Sequence, residues 1–339
     1  MAQIPSWVEG MRFPRDLRAF RVPIAAFLVT ATLLALIQTV VRRPILLAER
    51  FWAGGGIAET IWLSLYAALV AHAMHDARHS ARWRRRIWTF FSVVFFAQLL
   101  LGLLGFAEFL MTGMLHLPVP AVIVAGPVYR GGGLFMPILF VSATLLAGPA
   151  WCSHLCYIGS WDLNAARATR RPRRLPRWRR AAQAGALAVV TGAALWLGLS
   201  GVPAPIATGL GLAYGIAGVA VMLVWSRRSG QMTHCLTWCP IGFLATWLGR
   251  LSPWRMRIAP GCDDCGACTP ACRYDALWPE HIRNRRPGPS CTLCGDCIRV
   301  CKRRFIEYWL FWLSAETSRH VFLVVIVSLH AIFLGVARI

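Results

Sequence analysis

Acidic side chains are scarce in this 339-residue chain: 14 Asp and Glu stand against 36 Lys and Arg, for a net charge of +22. Lysine is all but missing, Lys302 being the only one. A soluble protein with that balance would point to nucleic acid, but the arginines are distributed wrongly for it, and no nucleic-acid partner is expected. No small-residue cleavage site follows the first apolar run, which Arg12, Arg15, Arg18 and Arg21 flank, so that run is expected to be an uncleaved anchor rather than a removable signal peptide. What the chain has in abundance is apolar surface, with 57% hydrophobic residues and 16 Trp. Runs long enough to cross a bilayer core of about 30 Å, roughly 17 to 25 residues each, lie near 20–41, 57–77, 87–111, 134–151, 181–200, 207–225 and 320–336. Seven spans are expected.

The arginines then read as topology. Arg78, Arg82, Arg84, Arg85 and Arg86 follow span two, eight arginines lie from Arg167 to Arg180 after span four, and Arg227 and Arg228 follow span six. Arg130 is alone between 112 and 133, and no arginine lies in 201–206; Arg42, Arg43 and Arg50 are the exception. Every second loop is basic, which by the positive-inside rule puts those loops and the N-terminus on the cytoplasmic side of a cytoplasmic membrane, against lipid head groups. Trp62, Trp83, Trp88, Trp151 and Trp178 fall near span ends, where indoles anchor helices.

Twelve cysteines divide without remainder into eight and four. Cys262, Cys265, Cys268, Cys272 and Cys291, Cys294, Cys297, Cys301 each write C-x-x-C-x-x-C-x-x-x-C, the spacing that holds [4Fe-4S] clusters, the distant fourth cysteine of one run serving the other cluster. The expected sets are Cys262, Cys265, Cys268 with Cys301, and Cys291, Cys294, Cys297 with Cys272. Gly266 and Gly295 follow the second cysteine of each run, where the absence of a side chain lets backbone N–H groups approach sulfur. Structural zinc also uses C-x-x-C pairs, but leaves the regular triplets unexplained. Arg273 and Lys302 stand where the bacterial pattern has Pro. Arg283, Arg285 and Arg286 lie between the two runs, placed to dock an acidic redox partner.

The other four are Cys152 and Cys156 in W-C-S-H-L-C-Y-I-G, and Cys235 and Cys239 in H-C-L-T-W-C-P-I-G. They form a repeat, each copy a two-span hairpin ending in C-x-x-x-C-x-I-G at the basic face. On helices, Cys at i and i+4 share a face, so two copies could bring four soft ligands together as a third iron–sulfur centre or hold a reversible dithiol pair. Ile241–Leu251 and Ile158–Ala165 are expected as short interfacial helices.

A helical anchor, C-x-x-x-C-P repeats and tandem cluster motifs together resemble the NapH-type membrane polyferredoxins, over roughly residues 87–310. Cys152, Cys156, Cys235, Cys239 and Pro240 fall on that family's paired motif, and the eight other cysteines on its ferredoxin motifs. Tyr157 stands in place of the first Pro, two extra spans precede the match and one follows it, and no S-G-A-T flavin-attachment sequence occurs. The resemblance implies electron passage between the membrane quinone pool and another redox protein or complex subunit.

The expected fold is an all-α integral membrane bundle of about seven helices with a small α+β two-cluster ferredoxin domain. It divides into an anchor (1–86), repeated hairpins (87–251), the ferredoxin domain (252–310) and a last span (311–339). His72, His75 and Asp76, near the inner end of span two, are candidates for a quinol site, since His titrates in the useful range; Glu59 and Glu108 are further candidates. Haem would need two His at equal depth on facing helices, and only His330 is deep in a span, so haem is not expected. Two other functions use the same centres: a redox maturation factor that reduces a metal ion, and a redox sensor, for which no signalling domain is visible.

Overall fold

The computed structural model describes residues 20–41, 44–109 and 117–336; Arg12, Arg15, Arg18, Arg42 and Arg43 lie outside them. In chain order the helices are α1 (Arg21–Val40), α2 (Leu47–Phe51), α3 (Gly55–His75), α4 (Ala77–Leu103), α5 (Val122–Arg130), α6 (Phe135–Ala147), α7 (Tyr157–Ala166), α8 (Arg179–Leu199), α9 (Ala204–Val221), the single turn α10 (Arg227–Ser229), α11 (Pro240–Leu248), α12 (Pro279–Arg283), α13 (Asp296–Val300) and α14 (Ala315–Val336). Two strands, β1 (Trp254–Ile258) and β2 (Ile306–Leu310), pair antiparallel with Met256 opposite Tyr308.

Among the described residues, seven helical stretches are long and apolar enough to cross a membrane: Arg21–Val40, Gly55–His75, Ala77–Leu103, Phe135–Leu155, Arg179–Leu199, Ala204–Ser229 and Ala315–Gly335. Their outward faces are Leu, Ile, Val and Trp, as at Leu69, Ile138, Val189 and Ile216, which is how a helix reads when lipid replaces water. At 1.5 Å per residue the 27 residues of α4 reach about 40 Å. Its basic first third therefore projects beyond the hydrocarbon, capped by Asp76, whose carboxylate accepts the Arg78 amide at 2.9 Å. Helices α1, α3 and α14 pack together, with Thr30 Oγ1 donating to Ser328 Oγ at 3.0 Å.

One segment was not expected. Between α4 and α6 the chain turns back on itself. Leu117 lies against Gly211 and Val119 against Gly215, partway along α9, while at the far end of α5 Tyr129 lies against Gly198 and its hydroxyl donates to Val202 O at 2.6 Å. A Cβ on Gly215 would come within 2.5 Å of Val119, so the G-x-x-x-G of α9 is what lets this segment approach. Nine-residue α5 is too short to span and re-enters instead, which is tolerated where protein covers the backbone.

The segment 252–310 does not stand apart from the helices. Trp254, Tyr274, Leu293 and Tyr308 share one continuous core with Trp88, Trp151 and Phe322. The Tyr308 and Phe322 rings stack at 4.4 Å, and Trp254 Nε1 donates to Leu146 O at 2.7 Å.

Candidate iron–sulfur centres

The tandem motifs fold as a pseudo-repeat whose backbone is fixed by the same special conformations in each half. Gly266 and Gly295 adopt φ of 70° and 74°. Asp264 and Leu293, each two residues after the first cysteine of its run, have φ of 53° and 56°; Asp275 and Arg304, each three after the last, have 54° and 57°. Left-handed backbone at non-glycine positions is uncommon, and its recurrence at matched positions curls each loop around a common centre. A Cβ on Gly295 would lie 2.7 Å from the Tyr308 hydroxyl.

Cys262, Cys265, Cys268 and Cys301 line a single cavity of ≈ 380 Å³ with Ile306 and Phe305, so the fourth wall of the first site comes from the second run. Phe305 donates its backbone N–H to Cys301 Sγ at 3.3 Å. Cys272 lies near Cys291, Cys294 and Cys297, and near Cys268 of the first set as well, and the Ala276 and Tyr274 amides favour its thiolate against burial. Burial pushes the Cys291 thiol up to about 12 and the Cys268 thiol up to about 11. A bound metal reverses that preference by taking the thiolate directly. Zinc would need its thiolates about 2.3 Å from one point. The first quartet surrounds a cavity instead, and both sets have N–H groups that favour thiolate, which suits the broader inorganic core of a cluster.

The C-x-x-x-C pairs sit at or just past the ends of two spans. Each lies on a π-helical turn, Trp151–Leu155 and His234–Trp238, closed by Cys156 N to Trp151 O at 3.0 Å and Cys239 N to His234 O at 2.9 Å. Such wide turns are rare and concentrate at functional sites. Cys156 (φ −80°, ψ 116°) and Cys239 (φ −77°, ψ 116°) superpose in conformation, so Tyr157 in place of Pro leaves the first copy's backbone unchanged. Each second cysteine is the N-cap of a half-length helix, α7 or α11, and the amides of the Ile-Gly that follows, Ile158 and Gly159 or Ile241 and Gly242, favour its thiolate against burial. A Cβ on Gly159 would lie 2.9 Å from Cys152 O, and one on Gly242 would lie 2.5 Å from Cys235 O. The glycine of the repeated motif thus lets each half-helix close onto its own first cysteine.

The two copies face each other. Cys152 is coupled to Cys156 and Cys239, and Cys235 to all three. Burial raises the Cys239 thiol to about 12. Asp162, from α7 of the first copy, reaches across to accept the Cys235 amide at 2.9 Å, and burial lifts its carboxyl to about 6.

This four-cysteine site is wired to the second quartet by polar contacts. Ser153, between Cys152 and Cys156, donates to the carbonyl of Thr292, between Cys291 and Cys294, at 2.9 Å. Arg84, wholly buried, donates to Ser153 O at 2.8 Å and grips Asp296 through Nη2 at 2.8 Å and Nε at 3.3 Å. Tyr274 is coupled to both Cys235 and Cys294. Ser153, Arg84, Asp162 and Tyr274 were missed by sequence reasoning; only the doubled motif signalled that the residues between its cysteines deserved scrutiny.

The quinol-site candidates are placed otherwise. Asp76 caps α4 and pairs with His79 at 2.9 Å, and His75 stacks on His320 at 4.9 Å. His72 stacks on Phe20 at 6.0 Å. Glu59 accepts the Ala48 amide at 2.7 Å, and Arg50 donates to Glu108 O at 2.8 Å. Both ring nitrogens of His330 are engaged, Nδ1 with His154 O and Nε2 with the Tyr66 hydroxyl, each at 3.1 Å. Arg285 pairs with Asp264. A separate apolar cavity of ≈ 190 Å³ lies beside the four-cysteine site, lined by Trp161, Tyr214, Met222, His234, Cys239 and the re-entrant residues Pro118–Ala121.

Fold and site together define a membrane iron–sulfur electron-transfer protein with multiple spans. A family model described as a 4Fe-4S binding domain matches the chain over residues 129–176 and 210–259. Each segment carries one C-x-x-x-C pair, Cys152 and Cys156 in the first and Cys235 and Cys239 in the second, and neither reaches the eight cysteines from Cys262 onward. No curated protein and no solved structure matches the chain.

Proposed function

We propose that this chain passes electrons between the quinone pool and a redox partner on the cytoplasmic side, as the resemblance to NapH-type polyferredoxins implies. Bound at the cysteine sets, iron–sulfur clusters supply one-electron relay with little rearrangement. The chain's part is to arrange three sets in series: the membrane-face pairs, then Cys272 with Cys291, Cys294 and Cys297, then Cys262, Cys265, Cys268 with Cys301. The observation that carries the reading is the position of the partly buried four-cysteine site. It is hydrogen-bonded through Ser153 to the second quartet on one side and bordered by the apolar cavity of ≈ 190 Å³ on the other.

That cavity suits a quinol head group better than the His72, His75 and Asp76 region. His234 is 6% exposed, and its Nδ1 lies 3.1 Å from Gly218 O. A carbonyl can only accept, so Nδ1 carries the proton and Nε2, buried and unpartnered among the described residues, is left as a bare acceptor for a ring hydroxyl. Exposed Leu212 and Ile216 border the opening, where a prenyl chain could leave into lipid.

The test is anaerobic addition of a reduced quinol analogue to purified protein, followed by electron paramagnetic resonance. Reduction of the iron–sulfur signals, slowed by His234→Leu, is expected. Full cluster content without any reduction by quinol would overturn the quinone reading.

A further inference from the structure

Five arginines from four separate stretches of chain meet around one cavity of ≈ 340 Å³: Arg85 of α4, Arg167 and Arg170 after α7, Arg273 beside Cys272, and Arg299 of α13. Among the described residues Asp296 is the only acidic one in its wall, and both its oxygens are spent on buried Arg84. Arg85, Arg167, Arg170 and Arg299 form no ion pair among the described residues. Arg273 is held rigidly, its Nη1 donating to Thr169 O at 2.9 Å and Gly230 O at 2.8 Å.

Topology accounts for arginines in each basic loop, but not for their convergence. The positive-inside rule counts charges near span ends and is indifferent to their mutual distance. Gathering like charges around one hollow costs free energy through repulsion, and Arg85 and Arg273 are half-buried, which adds desolvation. An anion in the hollow offsets both. Arginine forks match phosphate oxygens bidentately, and the volume exceeds what a single small anion needs.

We infer that this cavity binds a phosphate-bearing polyanion, held between the basic ends of the spans and the segment that carries the second quartet. The shared chemistry is a pair of phosphates, borne either by a phospholipid head group, since the site lies at the basic ends of the helices, or by a free solute. This site is independent of the quinone reading, and its test makes no use of electron transfer.

Holoprotein in uncharged detergent at low ionic strength is titrated calorimetrically with inorganic pyrophosphate and, separately, with mixed micelles of a diphosphate-headgroup phospholipid. Arg85→Gln with Arg299→Gln is expected to weaken binding by roughly tenfold or more, while Arg78→Gln with Arg82→Gln, the same charge change outside the cavity, shifts it by less than about twofold. Samples are matched for iron content; should the first pair fail to hold iron, exposed Arg167→Gln with exposed Arg170→Gln gives the same comparison. Loss confined to micelles identifies the lipid source, and loss confined to pyrophosphate the solute. Equal weakening in cavity and control variants, or no saturable binding of either probe, overturns the proposal.

Discussion

Removing the Arg84 guanidinium should loosen the joint between the spans and the cluster-bearing segment more than any surface substitution. Arg84 is fully buried and makes three hydrogen bonds, two to Asp296 and one to Ser153 O, while lying 5.3 Å from the centre of the Trp88 ring. Arg84→Met leaves the Asp296 carboxylate, whose side chain is 12% exposed, without its Arg84 partner. Breaking one side of a buried ion pair costs up to roughly 3–5 kcal/mol when the charge left behind is uncompensated, and here Arg85 and Arg273, which share a cavity wall with Asp296, offset part of it. In a chain of this size that lowers the melting midpoint by at most about 4–7 °C. The assay is thermal loss of iron–sulfur absorbance in detergent. Adding Asp296→Asn removes the stranded charge and should restore most of the midpoint. The same pair predicts a redox signature: a lone Asp296 anion beside Cys294 disfavours a further negative charge, so the midpoint potential there falls in the single variant and recovers in the double. A single variant as stable as the parent, or a double variant no better than the single, would refute the reasoning.

Other outcomes follow from the site. Iron and sulfide analysis should give about twelve irons per chain if the membrane-face set holds a cube, falling to about eight in Cys152→Ala with Cys239→Ala; about eight in both would leave those four as thiols. Gly242→Ala puts a methyl 2.5 Å from Cys235 O and should cost about 1–3 kcal/mol, read as reduced thermal stability, whereas Gly185→Ala, whose added methyl meets nothing, should cost none. In iron-free protein the folded-state thiols of Cys239 and Cys291 are raised to about 12 from the ordinary value of 9.0. The folded form therefore keeps protons that the unfolded form releases, and stability should fall as pH rises from about 9 toward 12, measured by chemical denaturation; a flat profile would contradict their burial.

Much of the architecture was legible because lipid leaves so few options. Long uninterrupted apolar runs mark spans, and the observed helices fall close to all seven runs. The half-helices α7 and α11 were legible for the same reason, being apolar but short. The re-entrant segment was not, since hydropathy alone continues the run through Leu103 and carries no sign of a reversal; the G-x-x-x-G of α9 that receives it reads only as a packing face. The π-turns were hidden because one extra residue per turn leaves Cys spacing intact. Arg84 could not be distinguished from its neighbours Arg82, Arg85 and Arg86, for burial is decided by Asp296, 212 residues away. Asp162 was overlooked similarly: its partner amide belongs to the other copy of the repeat.

The cluster-bearing segment enters from one membrane crossing and leaves into another, and it shares its apolar interior with both neighbours. Nothing in that arrangement permits it to swing out as a tethered shuttle. In the proposed relay, whatever exchanges electrons with Cys262, Cys265, Cys268 and Cys301 must therefore travel to them, and its reach is set when the chain folds rather than by diffusion of a mobile arm.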